Sequence, residues 1–265
     1  MPELSIITIN FNNRDGLQET MQSVFGQSFT GYEYIIIDGG STDGSKEIIQ
    51  DNSGKLSHWV SEKDNGIYDA INKGIQKATG SYLMFLNSGD YFLTTEILQN
   101  SFAVIEKENL DVYYGDIEIE FADKQVCIQK HAPVLDLYFL EKRTLNHQAS
   151  FIKAALFEEF GLYNPKYRMA ADYAFYLSAF LAGKKFKYID LVMIHYPWDG
   201  ISSRNMDAYM RQMKEVWKEL VPAHVDVMLN ENKKLKNTMN RVIMRIAKKM
   251  DNAYQSTKTL FRKSL

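Results

Sequence analysis

The sequence has one cysteine, five prolines and no long hydrophobic run in its 265 residues. The single cysteine, Cys127, excludes an intramolecular disulfide and a zinc site built from thiolates, and it favours a reducing, cytoplasmic setting. The N-terminal segment MPELSIITINF lacks a basic region, and its apolar stretch is too short for a signal peptide or a membrane span. The sequence therefore predicts a protein that is neither exported nor membrane-spanning.

The charge is nearly balanced but unevenly distributed along the chain. Lys and Arg number 31 and Asp and Glu number 33, so the net charge is −2 and no nucleic-acid partner is predicted. A hydrophobic content of 45% is enough to build a buried core. From Lys233 onward, however, ten Lys and Arg residues accompany a single acid, Asp251. The C-terminal segment is therefore strongly basic and the rest of the chain is acidic.

Signals for strand, polar loop and helix alternate along the N-terminal part of the chain. Apolar runs typical of strands occupy residues 4–9, 34–37, 58–60 and 82–86, and each ends in a polar loop. Such alternation is typical of βαβ units, which build a mainly parallel sheet with helices on both faces. Short strand signals at 112–114, 117–121 and 126–129, separated by Gly115-Asp116 and by a hairpin-like polar segment at 122–124, predict antiparallel additions. The predicted fold class is α/β, with one domain over 1–204 and a helical, basic extension over 205–265.

Four polar residues directly follow the predicted strands or lie in the loops after them: Asn10, Asp38, Asp64 and Asp90. In an open parallel sheet, ligands bind beyond the carboxyl ends of the strands. The Asp90 carboxylate is suited to a hard divalent cation that bridges to a diphosphate. Asp38 precedes two glycines and is suited to accept the imide N–H of a uracil-like base. Helix capping, for instance by a residue within 41–43, is the competing explanation for such a loop.

Four motifs in order carry a family resemblance: IITIN at 6–10, IDGGSTDG at 37–44, DNG at 64–66 with NKG at 72–74, and FLNSGD at 85–90. Together they resemble the family-2 glycosyltransferases of the GT-A fold, and the likeness spans about residues 3–205. The resemblance implies a sugar transfer that inverts the anomeric configuration, with a UDP-sugar as the default donor and Mn or Mg as cofactor. It is closest to bacterial enzymes of surface-polysaccharide synthesis, whose acceptors are saccharides or lipid-linked saccharides.

The resemblance also implies roles for individual residues. Asp90 matches the metal ligand of the family, whereas Asn87 and Gly89 stand where relatives often carry acids. The diphosphate and a later side chain, for which His195 is the weaker candidate, then become more important as metal ligands. The residues assigned to nucleotide binding are Thr8, Asn10, Asp38, Asp64, Asn72 and Ser88.

The segment at 169–173 resembles the helix start that carries the general base of the family, so Asp172 is the candidate base for the acceptor hydroxyl. An acid favoured by the helix dipole is the alternative explanation. The segments at 146–151 and 195–202 resemble the acceptor-side and closing-loop regions. They supply His147, Trp198 and Asp199 as candidate sugar contacts, with Trp198 suited to stack on a pyranose. His147 and His195 are each equally well explained as hydrogen-bonded structural residues.

The basic C-terminal segment has an apolar stripe at helical spacing. Two partners fit this pattern: an anionic membrane surface, because cations flank the stripe, or a second subunit in a homodimer. The stripe comprises Leu235, Met239, Val242, Ile243, Ile246 and Met250.

Two other functions compete with sugar transfer. Sugar nucleotidyltransferases also combine a parallel sheet with a metal, but enzymes of that kind carry a glycine-rich, basic loop after the first strand. Residues 10–15 contain no glycine and only Arg14 as a cation. The other alternative is a catalytically silent nucleotide- or carbohydrate-binding scaffold, which is favoured if Asn87 and Gly89 leave too little acid to hold a metal.

Overall fold

The computed structural model of the chain describes residues 2–198 and 205–263. The chain divides into two compact units, Met1–Leu220 and Val221–Leu265. The predicted extension begins at 205, yet the helix Met206–Leu220 falls in the first unit, where it packs on the helix Ala171–Leu181. The second unit is one helix, Ala223–Lys263.

The first four strands form the parallel half of a single sheet. Three helices connect them and cover the sheet, which confirms the predicted βαβ alternation. The strand register sets Asn10 beside Asp38 and Asp38 beside Ser61, so the polar strand ends meet at one edge. The elements are β1 (Leu4–Asn10), α1 (Arg14–Phe25), β2 (Tyr32–Asp38), α2 (Ser45–Asp51), β3 (His58–Ser61), α3 (Ile67–Ile75) and β4 (Tyr82–Phe85).

The second half of the sheet is mixed, and its order is β3-β2-β1-β4-β8-β6-β9-β5, with β7 on β6. β8 runs antiparallel between β4 and β6, and β6 pairs in parallel with β9. The elements are β5 (Tyr91–Phe92), α4 (Ile97–Glu108), β6 (Val112–Glu120), β7 (Val126–Gln129), α5 (Leu137–Leu140), β8 (Ser150–Lys153), α6 (Ala155–Phe160), α7 (Ala171–Leu181), β9 (Phe186–Pro197), α8 (Met206–Leu220) and α9 (Ala223–Lys263). Short 3₁₀ helices occupy Ser53–Lys55 and His147–Ala149.

The predicted hairpin within 111–131 is present as the antiparallel pair of β6 and β7. β6 is one continuous strand, although the sequence predicts two strands separated at Gly115 and Asp116. The pairing of β6 with β9 shifts register around Asp116, which is fully buried. The Asp116 carboxylate accepts hydrogen bonds from the His131 backbone N–H at 2.8 Å and the Tyr188 hydroxyl at 2.7 Å, so the strand continues through a polar residue.

Helix packing explains two sequence features of the parallel half. α1 buries Leu17, Met21 and Val24, which lie on one helical face and join the core on β1 and β2. α3 packs so closely on β1 that a Cβ atom at Gly74 would overlap the Ile7 side chain. The glycine of the NKG motif is therefore required by packing.

The start of α2 differs from the prediction of a cap at Ser41, Thr42 or Asp43. The N-cap residue is Gly44, with φ of +94°. Ser41 is drawn away because its hydroxyl donates to Asp38, whereas the Asp43 carboxylate accepts from the Ser45 backbone N–H at 3.1 Å. Asp43 thus satisfies a free N–H of the first turn without occupying the cap position.

Candidate active site

A cleft of about 740 Å³ opens where β4, β6 and β9 end at the carboxyl edge of the sheet. The loop after β4, the 3₁₀ helix at His147–Ala149, the start of α7 and the face of α8 form its walls. Five residues predicted from the sequence line it together: Ser88, Asp90, His147, Asp172 and Trp198.

Asp172 lies in the first turn of α7 and is only 7% exposed. Its Oδ1 atom accepts two hydrogen bonds, from the Tyr68 hydroxyl at 2.9 Å and from the Tyr173 backbone N–H at 2.8 Å. Its Oδ2 atom lies 3.3 Å from Nδ1 of His147. The two oxygens therefore differ: Oδ1 is held by fixed donors, and Oδ2 is the atom that remains for chemistry in the cleft.

His147 joins Asp172 to the loop after β4. Its Nε2 atom lies 3.2 Å from the Asn87 amide nitrogen, and its Nδ1 atom faces the Asp172 carboxylate. A carboxylate only accepts hydrogen bonds, so in the neutral ring Nδ1 carries the proton and Nε2 accepts from Asn87. The result is a hydrogen-bonded line from Asn87 through His147 to Asp172.

Tyr68 is a site residue that the sequence does not single out. It lies in the first turn of α3, directly after the DNG motif, and it lines the cleft. Burial and the neighbouring Asp172 carboxylate raise the pKa of Tyr68 well above its usual value. The hydroxyl therefore stays protonated and donates to Asp172, which fixes the orientation of that carboxylate.

The turn at residues 87–90 is fixed to both β1 and α1. The Ser88 backbone N–H donates to the Ile9 carbonyl at 3.0 Å, and the Asn13 amide donates to the Ser88 carbonyl at 2.9 Å. The buried Thr20 hydroxyl donates to the Asp90 carbonyl at 2.8 Å. Gly89 has a φ of +102°, a left-handed conformation that a residue with a Cβ adopts only under strain. Backbone geometry thus explains the glycine where relatives often carry an acid.

The donor set for a metal at this turn is small. The Asp90 carboxylate is 4% exposed and lines the cleft. Within the described part of the chain, no three His, Cys, Asp or Glu side chains converge on a point suited to a metal. Mg²⁺ is commonly held by one or two carboxylates together with waters and substrate phosphates. The residues present therefore fit a cation that is held jointly by Asp90 and the diphosphate of the substrate. They do not fit a cation whose ligands all come from the protein.

His195, the weaker metal candidate, lies outside the cleft. It pairs with Tyr91 across the β5–β9 ladder, and the two rings stack with centroids 4.4 Å apart. Its Nδ1 atom lies 2.9 Å from the Glu118 carboxylate, and it is buried. His195 is thus held in the sheet with its Nδ1 directed at Glu118, and its role as a metal ligand stays a prediction.

Asp38, a predicted nucleotide ligand, is fully buried and already bonded within the protein. It accepts from the Asn10 amide at 2.7 Å, from the Ser61 hydroxyl at 2.6 Å, and from both the backbone N–H and the hydroxyl of Ser41. Burial alone would raise the pKa of Asp38, but these hydrogen bonds outweigh burial and lower it. Asp38 therefore organises the loop after β2 as an ionised carboxylate, and its contact with a base stays a prediction.

Two further residues predicted to bind the nucleotide have their polar groups engaged within the protein. Thr8 is fully buried, and its hydroxyl is 2.9 Å from the Tyr34 hydroxyl in the core. The Asn72 amide donates to the Tyr163 carbonyl at 2.8 Å and accepts from the Tyr163 N–H at 3.0 Å. Both polar groups of Asn72 thus tie α3 to the segment before α7, and the roles of Thr8 and Asn72 in nucleotide binding stay predictions.

The edge beyond β2 does offer groups to a ligand. The Asp64 carboxylate reaches over Gly39, where a Cβ atom would come within 2.6 Å of Asp64 Oδ2. The Phe11 ring comes within 3.1 Å of the same position and is 65% exposed. The Oδ1 atom of the buried Asn10 has no hydrogen-bond partner within the described residues. An exposed aromatic ring and a carboxylate therefore meet above Gly39 at the edge where a base is predicted to bind.

The remaining predicted contacts lie on the far side of the cleft. Trp198 packs against Phe121 and Tyr196 and lines the cleft, while its backbone N–H donates to the Glu120 carbonyl at 2.8 Å. Asp199 lies outside the described residues. Three cations at the cleft are not singled out by the sequence, although they flank the predicted segments at 146–151 and 169–173: Lys142, Arg143 and Arg168.

Comparison with known proteins gives related sequences over most of the chain. An uncharacterised glycosyltransferase of Mycobacterium tuberculosis is 34% identical over 209 residues, which is 76% of this chain and 78% of the relative. A PGL/p-HBAD biosynthesis glycosyltransferase of Mycobacterium bovis is 32% identical over 213 residues, which is 78% of this chain and 81% of the relative.

The fold is similar to that of TarS from S. aureus, in a structure of its residues 1–349 in complex with UDP. The TM-score is 0.65 at 19% sequence identity, and the match covers 85% of this chain and 68% of the TarS chain. This confirms the α/β, GT-A-like fold with flanking helices. The model of the family described as Glycosyl transferase family 2 matches residues 5–160. The chain therefore belongs to glycosyl transferase family 2.

Proposed function

We propose that the chain transfers a sugar from a UDP-sugar to a hydroxyl of a saccharide or lipid-linked saccharide, with inversion at the anomeric carbon, in the synthesis of a cell-surface glycan. The observation that carries the proposal is the placement of two carboxylates in one cleft. Asp90 lies at the turn after β4 and Asp172 at the start of α7, and Asn87 and His147 connect them. One carboxylate serves the departing diphosphate and the other serves the acceptor.

On the donor side, the base stacks on the exposed Phe11 ring, with the Asp64 carboxylate beside it. Asp90 holds Mn or Mg, which neutralises charge on the diphosphate when bound. Glycine at position 39 leaves room for the Asp64 carboxylate and the Phe11 ring, which a Cβ atom would meet at 2.6 Å and 3.1 Å. The cations at the cleft, such as Arg143 and Arg168, add positive potential where the leaving group departs.

On the acceptor side, Asp172 Oδ2 takes the proton of the attacking hydroxyl. Three polar atoms of other residues that line the cleft are buried and have no partner among the described residues: Asn87 Oδ1, Thr144 Oγ1 and Asn146 Nδ2. Unpaired buried polar atoms carry a desolvation cost that a polar ligand relieves. They are suited to sugar hydroxyls, and the Trp198 indole supplies an apolar face for a pyranose ring.

Hydrolysis of donor tests this proposal without an acceptor. UDP-sugars are incubated with the protein and Mn, and release of UDP is measured for each. Slow UDP release from at least one UDP-sugar is expected, together with tight UDP binding by calorimetry. Formation of a UDP-sugar from UTP and a sugar phosphate would instead identify a nucleotidyltransferase. Binding of UDP without any turnover, even with candidate acceptors present, would identify a silent scaffold.

The proposed acceptors bear on location. Within the described part of the chain, no helix combines the length and hydrophobicity needed to cross a membrane. A cytoplasmic protein that acts on lipid-linked acceptors works at the inner face of the membrane. Contact of the basic α9 with anionic lipid would hold the protein at that face. Binding of the chain to lipid vesicles tests this contact, and the mass of the protein in solution tests the alternative contact with a second subunit.

Tyr68→Phe tests the orientation of the base. Removing the hydroxyl leaves Asp172 Oδ1 with one fixed donor, so the carboxylate samples more positions and turnover should fall about fivefold, equivalent to about 1 kcal/mol. The KM for the donor should stay within twofold, because the Tyr68 hydroxyl contacts the catalytic base, Asp172, and not the loops that are proposed to hold the nucleotide. Steady-state kinetics and the thermal midpoint are measured together. A fall in stability with unchanged turnover would give Tyr68 a structural role only.

A further inference from the structure

Helix α9 is unusually long for a helix of this fold. It has 41 residues, which corresponds to about 62 Å. Leu235 and Met239 are 68% and 60% exposed, and Met228 is exposed as well. A periodic helix longer than about 25 residues indicates a coiled coil, a membrane span or a helical repeat. No helix in the described residues meets the requirements for a span.

The apolar spacing along α9 follows a heptad repeat. From Met228 to Ile246, separations of four and three residues alternate, which is the spacing of the d and a positions of successive heptads. Ile243 and Met250 of the stripe fall at e, and Lys249 falls at d, so the repeat ends at Ile246. A strict period of 3.5 residues is the pattern of a helix paired with another helix. Met228, Leu235 and Val242 occupy d, and Asn232, Met239 and Ile246 occupy a.

We propose that α9 pairs with α9 of a second copy of the chain in a parallel, two-stranded coiled coil. A single Asn at an a position, here Asn232, pairs with its counterpart and specifies register. In a parallel pair, the residue at g lies beside the e residue of the partner helix five positions further on. Glu231 occupies g and Lys236 occupies e, so each helix offers an opposite charge to its partner on both sides of the seam.

The charges beside the seam favour a second copy of the chain over a lipid surface. Lys233 occupies b, and Lys234, Arg241 and Lys248 occupy c, away from the seam, where cations keep an exposed coiled coil soluble. Lys236 and Arg245 occupy e and g beside the seam, as cations of an interfacial helix would. Glu231 also lies beside the seam, and an anionic surface would repel it, whereas Lys236 of a second copy attracts it.

Particle mass in solution tests the pairing with a matched control. The full chain should sediment with twice its monomer mass at micromolar concentration. Met239→Lys places a charge in the seam and should yield the monomer, because two ammonium groups would face each other. Met244→Lys makes the same exchange at position f, away from the seam, and should leave the dimer intact. Circular dichroism of both variants checks that the helix is retained. A monomeric wild-type chain, or a dimer unaffected by Met239→Lys, would overturn the proposal.

Cross-linking tests the parallel register. In a Cys127→Ser background, Leu235→Cys should form an intermolecular disulfide readily under mild oxidation, because d positions of an in-register pair face each other. Met244→Cys, at position f, should not. A dimer by mass that gives no Leu235→Cys cross-link would exclude the parallel arrangement. Charge exchange adds a second check, since Glu231→Lys should weaken the dimer and Glu231→Lys with Lys236→Glu should restore it.

Vesicle binding separates the lipid alternative. The wild-type chain and Met239→Lys are sedimented with vesicles of phosphatidylglycerol and phosphatidylcholine. A chain that stays monomeric in solution and whose vesicle binding is abolished by Met239→Lys would show that the apolar stripe contacts lipid, and the coiled-coil proposal would fail. A dimer whose vesicle binding is weak and insensitive to Met239→Lys supports the proposal.

Discussion

Asp172→Asn is expected to lower turnover by on the order of a hundredfold or more while UDP binding stays nearly unchanged. The reason lies in the two oxygens of Asp172. Oδ1 accepts from Tyr68 and Tyr173, both of which are donors, so the amide oxygen of Asn must occupy that position. The amide nitrogen then takes the place of Oδ2, which is the atom proposed to accept the proton. Steady-state kinetics at saturating donor and acceptor measure the loss, and calorimetry measures UDP affinity.

The control for this variant addresses the helix dipole. Glu158 is an exposed acid in the first turn of α6, so Glu158→Gln removes a dipole-stabilising charge of the same kind at a distance from the cleft. It should lower stability slightly and leave turnover unchanged. If Asp172→Asn keeps most of the wild-type turnover, another group is the base and Asp172 serves the helix.

Asp90→Ala is expected to remove the enhancement of UDP binding by Mn and to lower turnover by about a hundredfold. Asp90 is the one carboxylate at the turn after β4, so its loss leaves the shared cation with few protein ligands. The turn itself should persist, because the backbone of Asp90 is held by the Asn87 carbonyl and the Thr20 hydroxyl. Calorimetric titration of UDP with and without Mn gives the enhancement directly.

Asp51→Ala is the matched control for Asp90→Ala, since Asp51 is an exposed acid at the end of α2. It should leave both the Mn enhancement and turnover unchanged. Equal Mn enhancement in wild type and Asp90→Ala would remove Asp90 from the metal site. A wild-type protein whose UDP affinity and turnover do not respond to Mn would refute the metal dependence as a whole.

The parallel half of the sheet was predictable because each of its strands is a short apolar run ended by polar residues. β8 was not, because Ser150–Lys153 follows directly after a segment read as an acceptor contact and its partners, β4 and β6, are distant in sequence. β5 is only two residues long and has no pattern of its own. Pairing between distant segments is set by tertiary structure, which local periodicity does not encode.

Position in the loops was predicted better than side-chain direction. Asp90 and Asp172 line the cleft, as their place after a strand and at a helix start indicates. Thr8 and Asn72 carry the right chemistry at the right edge, but their polar groups are satisfied by Tyr34 and by the backbone of Tyr163. Tyr68 was missed because a tyrosine in a first helical turn is ordinarily part of the core, and its hydroxyl becomes informative only once Asp172 is placed beside it.

The amide at position 87 has a consequence for the charge of the whole cleft. An acid at this position could only accept a hydrogen bond from Nε2 of His147, and the ring would then need a second N–H to keep its contact with Asp172. Asn87 instead donates to Nε2, so one N–H on the ring, at Nδ1, completes the line from Asn87 to Asp172. The chain therefore carries one negative charge fewer near the leaving group, and the His147 ring is held as a donor on one side and an acceptor on the other.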